Sequence, residues 1–272
     1  MNLNDLHKIA LQFATTQQMP ILFLGHGSPM NAIEQNVFNQ HWQQIGKSLP
    51  KPNAILCVSA HWETQGTKIT AMDPPATIHD FGGFPNALYE ISYPAPGSLH
   101  WAQEIQKELG QSTVSLDFEW GLDHGTWSVL MHLYPEASIP VLQLSLDYGK
   151  SPEYHYQLGK QLQQLRSKGV LIVGSGNMVH NLRRMNWHQP QSGYDWAEEA
   201  NTSLKRFIKM DATDQLLQYH NLGQALQLAI PTPEHYLPML YILGMKTAKD
   251  EIHFFNDSFV FGSISMTSFW IH

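Results

Sequence analysis

Cysteine is all but missing from this chain: among 272 residues only Cys57 occurs, inside the apolar run Ala54-Ile-Leu-Cys-Val-Ser59. An intrachain disulfide and a thiolate zinc site are thereby excluded, so any metal must be held by histidine and carboxylate. Charge is scarce as well, at 14% Asp, Glu, Lys and Arg with a formal net charge of −7 and no run of lysine or arginine. That balance argues against a phosphate-tracking surface, and no nucleic-acid partner is expected. No stretch of about 18 apolar residues is present to cross a bilayer, and the first twenty residues lack a basic start followed by an apolar core. The expectation is a soluble, cytoplasmic protein with no membrane partner. Internal repeats, low-complexity tracts and linkers are also lacking, and the 43% hydrophobic content suffices for one sizeable core. A single domain spanning residues 1–272 is expected.

What is present is a series of short apolar runs, each ending in a turn. Pro20 to Gly25, Ala54 to Ala60, Ile139 to Ser145 and Gly169 to Val173 read as strands covered on both faces. Helical patterns occupy Asn36 to Leu49, Ser98 to Leu109, Pro152 to Lys168, Trp196 to Met210 and Asp214 to Leu228, with a helix beginning near Thr126 and a short helical piece ending at Leu243. A strand is expected within Gln111 to Phe118, and one or two closing strands between His253 and Trp270. Strand, crossover helix and strand in this succession imply right-handed βαβ units, and hence a three-layer α/β/α fold around a central, mostly parallel sheet. Asp73 to Ser98, rich in Pro, Gly and aromatics, has no period and reads as a long ordered loop, a kind that is usually functional.

The chain holds 15 histidines. His7, His41, His100, His155, His188, His220 and His272 sit in polar or helical contexts with no companion motif, and His79, His132 and His253 are ambiguous. His26, His61, His124, His180 and His235 differ, because each follows or interrupts a Gly/Pro/Ser-rich turn after an apolar stretch. Such turns at one edge of an α/β sheet can converge on a ligand crevice, and imidazoles gathered there commonly hold a metal. Spacing alone leaves hydrogen-bonded structural histidines equally open, since no H-x-x-x-H pair gives a local signal. Two other motifs fail on inspection. Gly25-His-Gly-Ser-Pro29 lacks the G-x-S-x-G of a nucleophile elbow, and Gly174-Ser-Gly-Asn177 lacks both the third glycine of a dinucleotide fingerprint and the lysine of a P-loop.

Six blocks, in order, carry a family resemblance: Gly25-His-Gly-Ser-Pro-Met30, Ser59-Ala-His-Trp62, His79 to Gly97, Gly121-Leu-Asp-His-Gly-Thr-Trp127, Gly174-Ser-Gly-Asn-Met-Val-His-Asn181 and Pro233-Glu-His-Tyr-Leu-Pro238. The chain resembles the class III extradiol ring-cleavage dioxygenases, and within them the single-domain DOPA 4,5-dioxygenase branch. The resemblance implies a metal-dependent enzyme that inserts O2 into a catechol ring, with L-DOPA opened at its 4,5 bond to a seco-DOPA semialdehyde. It places His26, His61, His180 and His235 at the metal, with His180 alternatively in acid/base chemistry, and His124 over the substrate as a catalytic proton-transfer group. Which of Glu234 and His235 points inward is open in the sequence, and the branch's pattern favours His235. Zn2+ in the protein as isolated, Fe2+ as the active metal and O2 as co-substrate are implied, with a small aromatic diol as the partner and a monomer or small homo-oligomer as the assembly. A zinc-dependent hydrolase or an aromatic-compound binder using the same histidines is the alternative.

Overall fold

Alternate side chains of the apolar runs are buried against opposite faces, which is the signature of strands covered on both sides. Ile21 and Phe23 of β1 (Ile21–Gly25) join one core cluster, whereas Leu22 and Leu24 join the other. The same division separates Leu56 and Val58 from Ile55 and Cys57 in β2 (Ala54–Thr64), and Val170 and Ile172 from Leu171 and Val173 in β6 (Val170–Gly176). The structure is a computed structural model that describes residues 18–188 and 190–272. The expectation about the first twenty residues therefore falls mostly outside the described residues, as does His7.

Completing the sheet are β3 (Thr67–Thr70), β4 (Val114–Asp117), β5 (Val141–Asp147), β7 (Ile252–Phe255) and β10 (Ser268–Ile271), in the spatial order β4-β3-β5-β2-β6-β1-β10-β7. The central four, β5-β2-β6-β1, run parallel, and both flanks turn antiparallel at β3 and at β10. One face is covered by helices Leu99–Leu109, Pro152–Leu162, Asp195–Lys209 and Leu237–Gly244, the other by Val37–Ser48 and His124–Leu133. The expected three-layer α/β/α fold is thus the observed one. Among the described residues no helix is long and apolar enough to cross a membrane.

Local chemistry accounts for the helix starts. Asn36 accepts from the backbone N–H groups of Phe38 and Asn39, Ser98 from that of Trp101, and Asp123 from that of Thr126, each replacing a missing intrahelical bond. Several expectations need correction. The Gly174-Ser-Gly176 segment is the end of β6 and not a turn. Asp214 to Leu228 is not one helix, because the chain breaks into Thr213–Leu217 and Gln224–Ala229 around Gly223, whose φ of 105° no continuous helix accommodates. The helix expected near Thr126 begins at His124, and the C-terminal region forms four short strands, of which β8 (Phe259–Val260) and β9 (Ile264–Ser265) pair separately from the main sheet. β3 was not foreseen.

One buried histidine away from the sheet edge makes stability pH-dependent. His155, within 3.1 Å of the Tyr241 hydroxyl, is lowered by burial to a pKa of about 4. As pH falls below about 6.5 the unfolded chain takes up a proton here before the folded chain does, so stability is full above that pH and declines toward pH 4. The expected contribution of this one group is on the order of 2 to 3 kcal/mol by pH 4. Denaturant unfolding across pH 7 to 4 should show a shallower decline in His155→Gln than in the parent; parallel curves would contradict the assignment.

Candidate metal centre

Three adjacent parallel strands, β2, β6 and β1, deliver their carboxyl ends to one place. This is the edge at which open α/β sheets bind ligands. His26 follows β1 directly. His61 lies inside β2, not after it, where the ladder is irregular: Val58 pairs with Leu144 but Glu63 with Leu146, so β2 advances five residues while β5 advances two. The surplus frees Ser59 to Trp62 from β5 and re-aims His61, the usual consequence of a bulge beside a site. His124 is the first residue of its helix, His180 lies four residues beyond β6, and His235 precedes the helix Leu237–Gly244.

All five predicted histidines meet. The His26 ring centroid lies 5.0 Å from His61, 5.8 Å from His124 and 5.3 Å from His235, and the His61 centroid lies 3.9 Å from His124 and 5.0 Å from His235. His180 joins through His235, on which it stacks at 3.5 Å with 10° between the planes. Measured by donor atoms, the gathering divides into His26, His61 and His124 on one side and His180, Glu234 and His235 on the other.

Glycine makes the approach possible. A Cβ on Gly176 would stand 2.2 Å from the backbone oxygen of His235, and one on Gly125 would stand 2.5 Å from Ser59 Oγ and 2.9 Å from His61 Cδ2. The His235 turn is therefore laid directly on β6, held by the Asn177 N–H donating to the His235 carbonyl at 2.9 Å. Gly176→Ala is expected to push this turn off the strand, to destabilise the protein by about 1 to 3 kcal/mol and to weaken metal binding. Thermal melts and calorimetric metal titration check this; unchanged values in both would contradict it.

Hydrogen bonds fix which nitrogens remain free. The Ser175 hydroxyl donates to the Gly125 carbonyl, so its oxygen accepts from His26 Nδ1 at 3.0 Å. His124 Nδ1 donates to Asp80 Oδ2 at 2.8 Å, and His235 Nδ1 donates to Glu234 Oε1 at 3.1 Å. His61 Nδ1 faces Asp80 Oδ2 at 3.4 Å. His26, His124 and His235 thereby direct Nε2 away from these partners, the arrangement that orients imidazoles for a metal. Glu234, turned to the outer nitrogen of His235 and bonded by Thr232 Oγ1 at 2.9 Å, supports that ring from behind.

The donors suit a cation. Nε2 of His26 and Nε2 of His61 lie 3.1 Å apart, a separation that suits a shared imidazole proton or, with both nitrogens deprotonated, a cation held between them. Nitrogens bonded to one metal at about 2.1 Å and near right angles are separated by about this distance. Burial, reinforced by the neighbouring imidazoles, holds His26 and His235 well below the ordinary histidine value. Burial likewise brings His61 down to about 3, against the pull of Asp80, and His180 to about 4. Neutral imidazole is the form that binds metal.

An aromatic wall stands over the cluster. Phe81 meets His124 edge-on at 5.5 Å and packs against Phe84 and Tyr89 at 5.4 and 5.2 Å. Trp127 Nε1 donates to the Ile78 carbonyl at 2.8 Å and pins this loop to the helix. Tyr93, from the same loop, is not part of the wall and is buried in the core with its hydroxyl donating to the Tyr134 carbonyl. Sequence reasoning missed Asp80, Asp123 and Ser175. Asp123 is fully buried, accepting from Ser59 Oγ, Thr126 N and Gln143 Nε2, while Ser59 Oγ accepts from the His61 N–H. Burial, with the nearby Asp80 charge, raises its pKa.

Comparison with known proteins agrees with this geometry. Residues 13–269 match the family model described as the catalytic LigB subunit of aromatic ring-opening dioxygenase. A 4,5-DOPA dioxygenase extradiol of Escherichia coli (strain K12) is 48% identical over 261 residues, 93% of this chain and 95% of that protein. The protein of the same name from Beta vulgaris is 37% identical over 256 residues, 91% and 94% of the two chains. The crystal structure of an uncharacterized protein from Escherichia coli K12 matches with a TM-score of 0.80 at 42% identity, covering 93% of this chain and all of that one.

Proposed function

The chain belongs to the LigB family of aromatic ring-opening dioxygenases and is a metal-dependent extradiol ring-cleavage enzyme, and from that premise we propose how its residues divide the work. His26, His61 and His235 form the core of the metal's donor set, with His180 stacked against His235 as its fourth member. His124 is the proton-transfer group, residues 1–272 work as one catalytic domain, and L-DOPA is the catechol. The single observation that carries the metal assignment is the 3.1 Å approach of His26 Nε2 and His61 Nε2, with Ser175 on the far nitrogen of His26 and Asp80 facing that of His61. The names of the relatives support L-DOPA as substrate. Iron(II) is proposed as the working metal, and zinc as the ion carried on isolation, because both accept imidazole donors.

When bound, the metal supplies Lewis-acid stabilisation of the catecholate and open positions for substrate and O2. Everything else falls to the chain. His124, its Nδ1 held by Asp80, takes the proton of a catechol hydroxyl at Nε2 and returns it as the ring opens. Phe81, Phe84 and Tyr89 present ring faces and edges to an aromatic substrate and keep water from the reacting carbons.

The test is oxygen consumption after anaerobic loading with iron(II), mixing with L-DOPA and admission of air. Stoichiometric uptake with a yellow ring-opened product is expected. A metal-loaded protein that consumes no oxygen with L-DOPA or with simple catechols would contradict the proposal and favour a hydrolytic zinc role.

A further inference from the structure

Asp80 is the acidic side chain tied to both His61 and His124, and nothing said above assigns it a part in the reaction itself. It comes from the loop that carries the aromatic wall, immediately before Phe81. Its Oδ1 accepts the His124 backbone N–H at 2.8 Å, its Oδ2 accepts from His124 Nδ1 at 2.8 Å, and the same Oδ2 lies 3.4 Å from His61 Nδ1. A carboxylate only accepts hydrogen bonds, so the neutral His124 ring carries its one proton on Nδ1 and presents a bare Nε2.

We infer that Asp80 is the positioning residue of the ring-opening reaction: it locks His124 in the Nδ1–H tautomer that can accept a catechol proton, and does so from the loop that walls the substrate. The inference rests on the proton-transfer role given to His124 above. Two bonds to one residue, backbone and ring, leave His124 little freedom to rotate. Pre-organisation of this kind is worth most where a proton must be taken at a fixed atom. Because the anchor belongs to the aromatic loop, displacement of that loop removes the lock as well as the wall.

A mere helix cap would use only the backbone bond, and asparagine separates the two roles. The His124 backbone N–H can only donate, so the amide oxygen of Asp80→Asn must face it, which turns the amide NH2 toward Nδ1. That nitrogen must then lose its proton to accept, and the ring is driven to the Nε2–H tautomer. D80N is expected to melt like the parent and to keep KM for L-DOPA within about 3-fold, with kcat taken per bound iron(II) because Asp80 also faces the metal ligand His61. Its kcat should fall by roughly 10² to 10⁴, the range of general acid–base catalysis. Nitrogen-15 NMR of the zinc-loaded proteins should show His124 protonated at Nδ1 in the parent and at Nε2 in D80N. An unchanged kcat, an unchanged tautomer, or a loss of kcat that follows loss of metal would each overturn the inference. Should the parent protein fail to open any catechol, the ring-opening account fails, whereas the tautomer comparison still decides whether Asp80 governs His124.

Discussion

Oxygen uptake with a catechol is expected to fall by about 10³-fold or more when His61 is replaced by alanine, and bound metal to fall with it. The magnitude follows from the several kcal/mol that a Lewis acid supplies to a charged transition state, at about 1.4 kcal/mol per factor of ten. His61 is chosen because its ring faces His26 at the Nε2 atoms while its backbone lies at the irregular end of β2, away from the regular ladder. Removal of the ring therefore takes away a donor without emptying the core, and the far-ultraviolet spectrum and melting temperature should be close to those of the parent. Metal analysis after dialysis, with oxygen-electrode rates, checks both parts. A His61→Ala protein that keeps its metal and turns over would contradict the donor assignment.

His124→Asn is expected to behave differently, keeping the metal while kcat drops by roughly 10² to 10⁴ and KM changes little. Its helix still starts in the same place, since Asp123 caps it and the residue 124 N–H can still donate to Asp80. The distinction matters because a nitrogen of His124 lies within 4.8 Å of those of His26 and His61, so proximity alone would admit it as a ligand. The bond from its Nδ1 to Asp80 and the edge of Phe81 against its ring place it on the substrate side of the group. Loss of metal in His124→Asn, measured by the same analysis, would move it into the donor set.

Strands β1, β2, β5 and β6 were legible because parallel strands buried on both faces are continuous apolar runs; His26, His61 and His180 were legible because each stands at or near the end of such a run, and His124 and His235 because each lies in a Gly- or Pro-bearing turn. Their convergence was not, since it depends on strand order, and on a bulge in β2 that no local pattern announces. Glycine misled at residues 174 to 176. There it serves close packing of the His235 turn on a straight strand, and sequence alone cannot tell that use from a turn. The family blocks did include Asp80, but a carboxylate in a loop without period carries no sign of which imidazole it will reach. Asp123 and Ser175 were silent for the same reason: their roles are hydrogen bonds to residues far away in the chain, at Gln143, Ser59 and His26. Glu234 and His235, adjacent and both able to bind metal, were separable only once the carboxylate was seen bonded to the outer nitrogen of the ring.

The most direct measurement is anomalous diffraction from crystals loaded anaerobically with iron(II) and a catechol. The account predicts one metal bonded at about 2.1 Å to Nε2 of His26, His61 and His235 and to a ring nitrogen of His180, with Nε2 of His124 on a catechol oxygen and Asp80 on its far side. A metal bonded to Glu234 and His180, with His26 and His61 left outside its coordination, would contradict it.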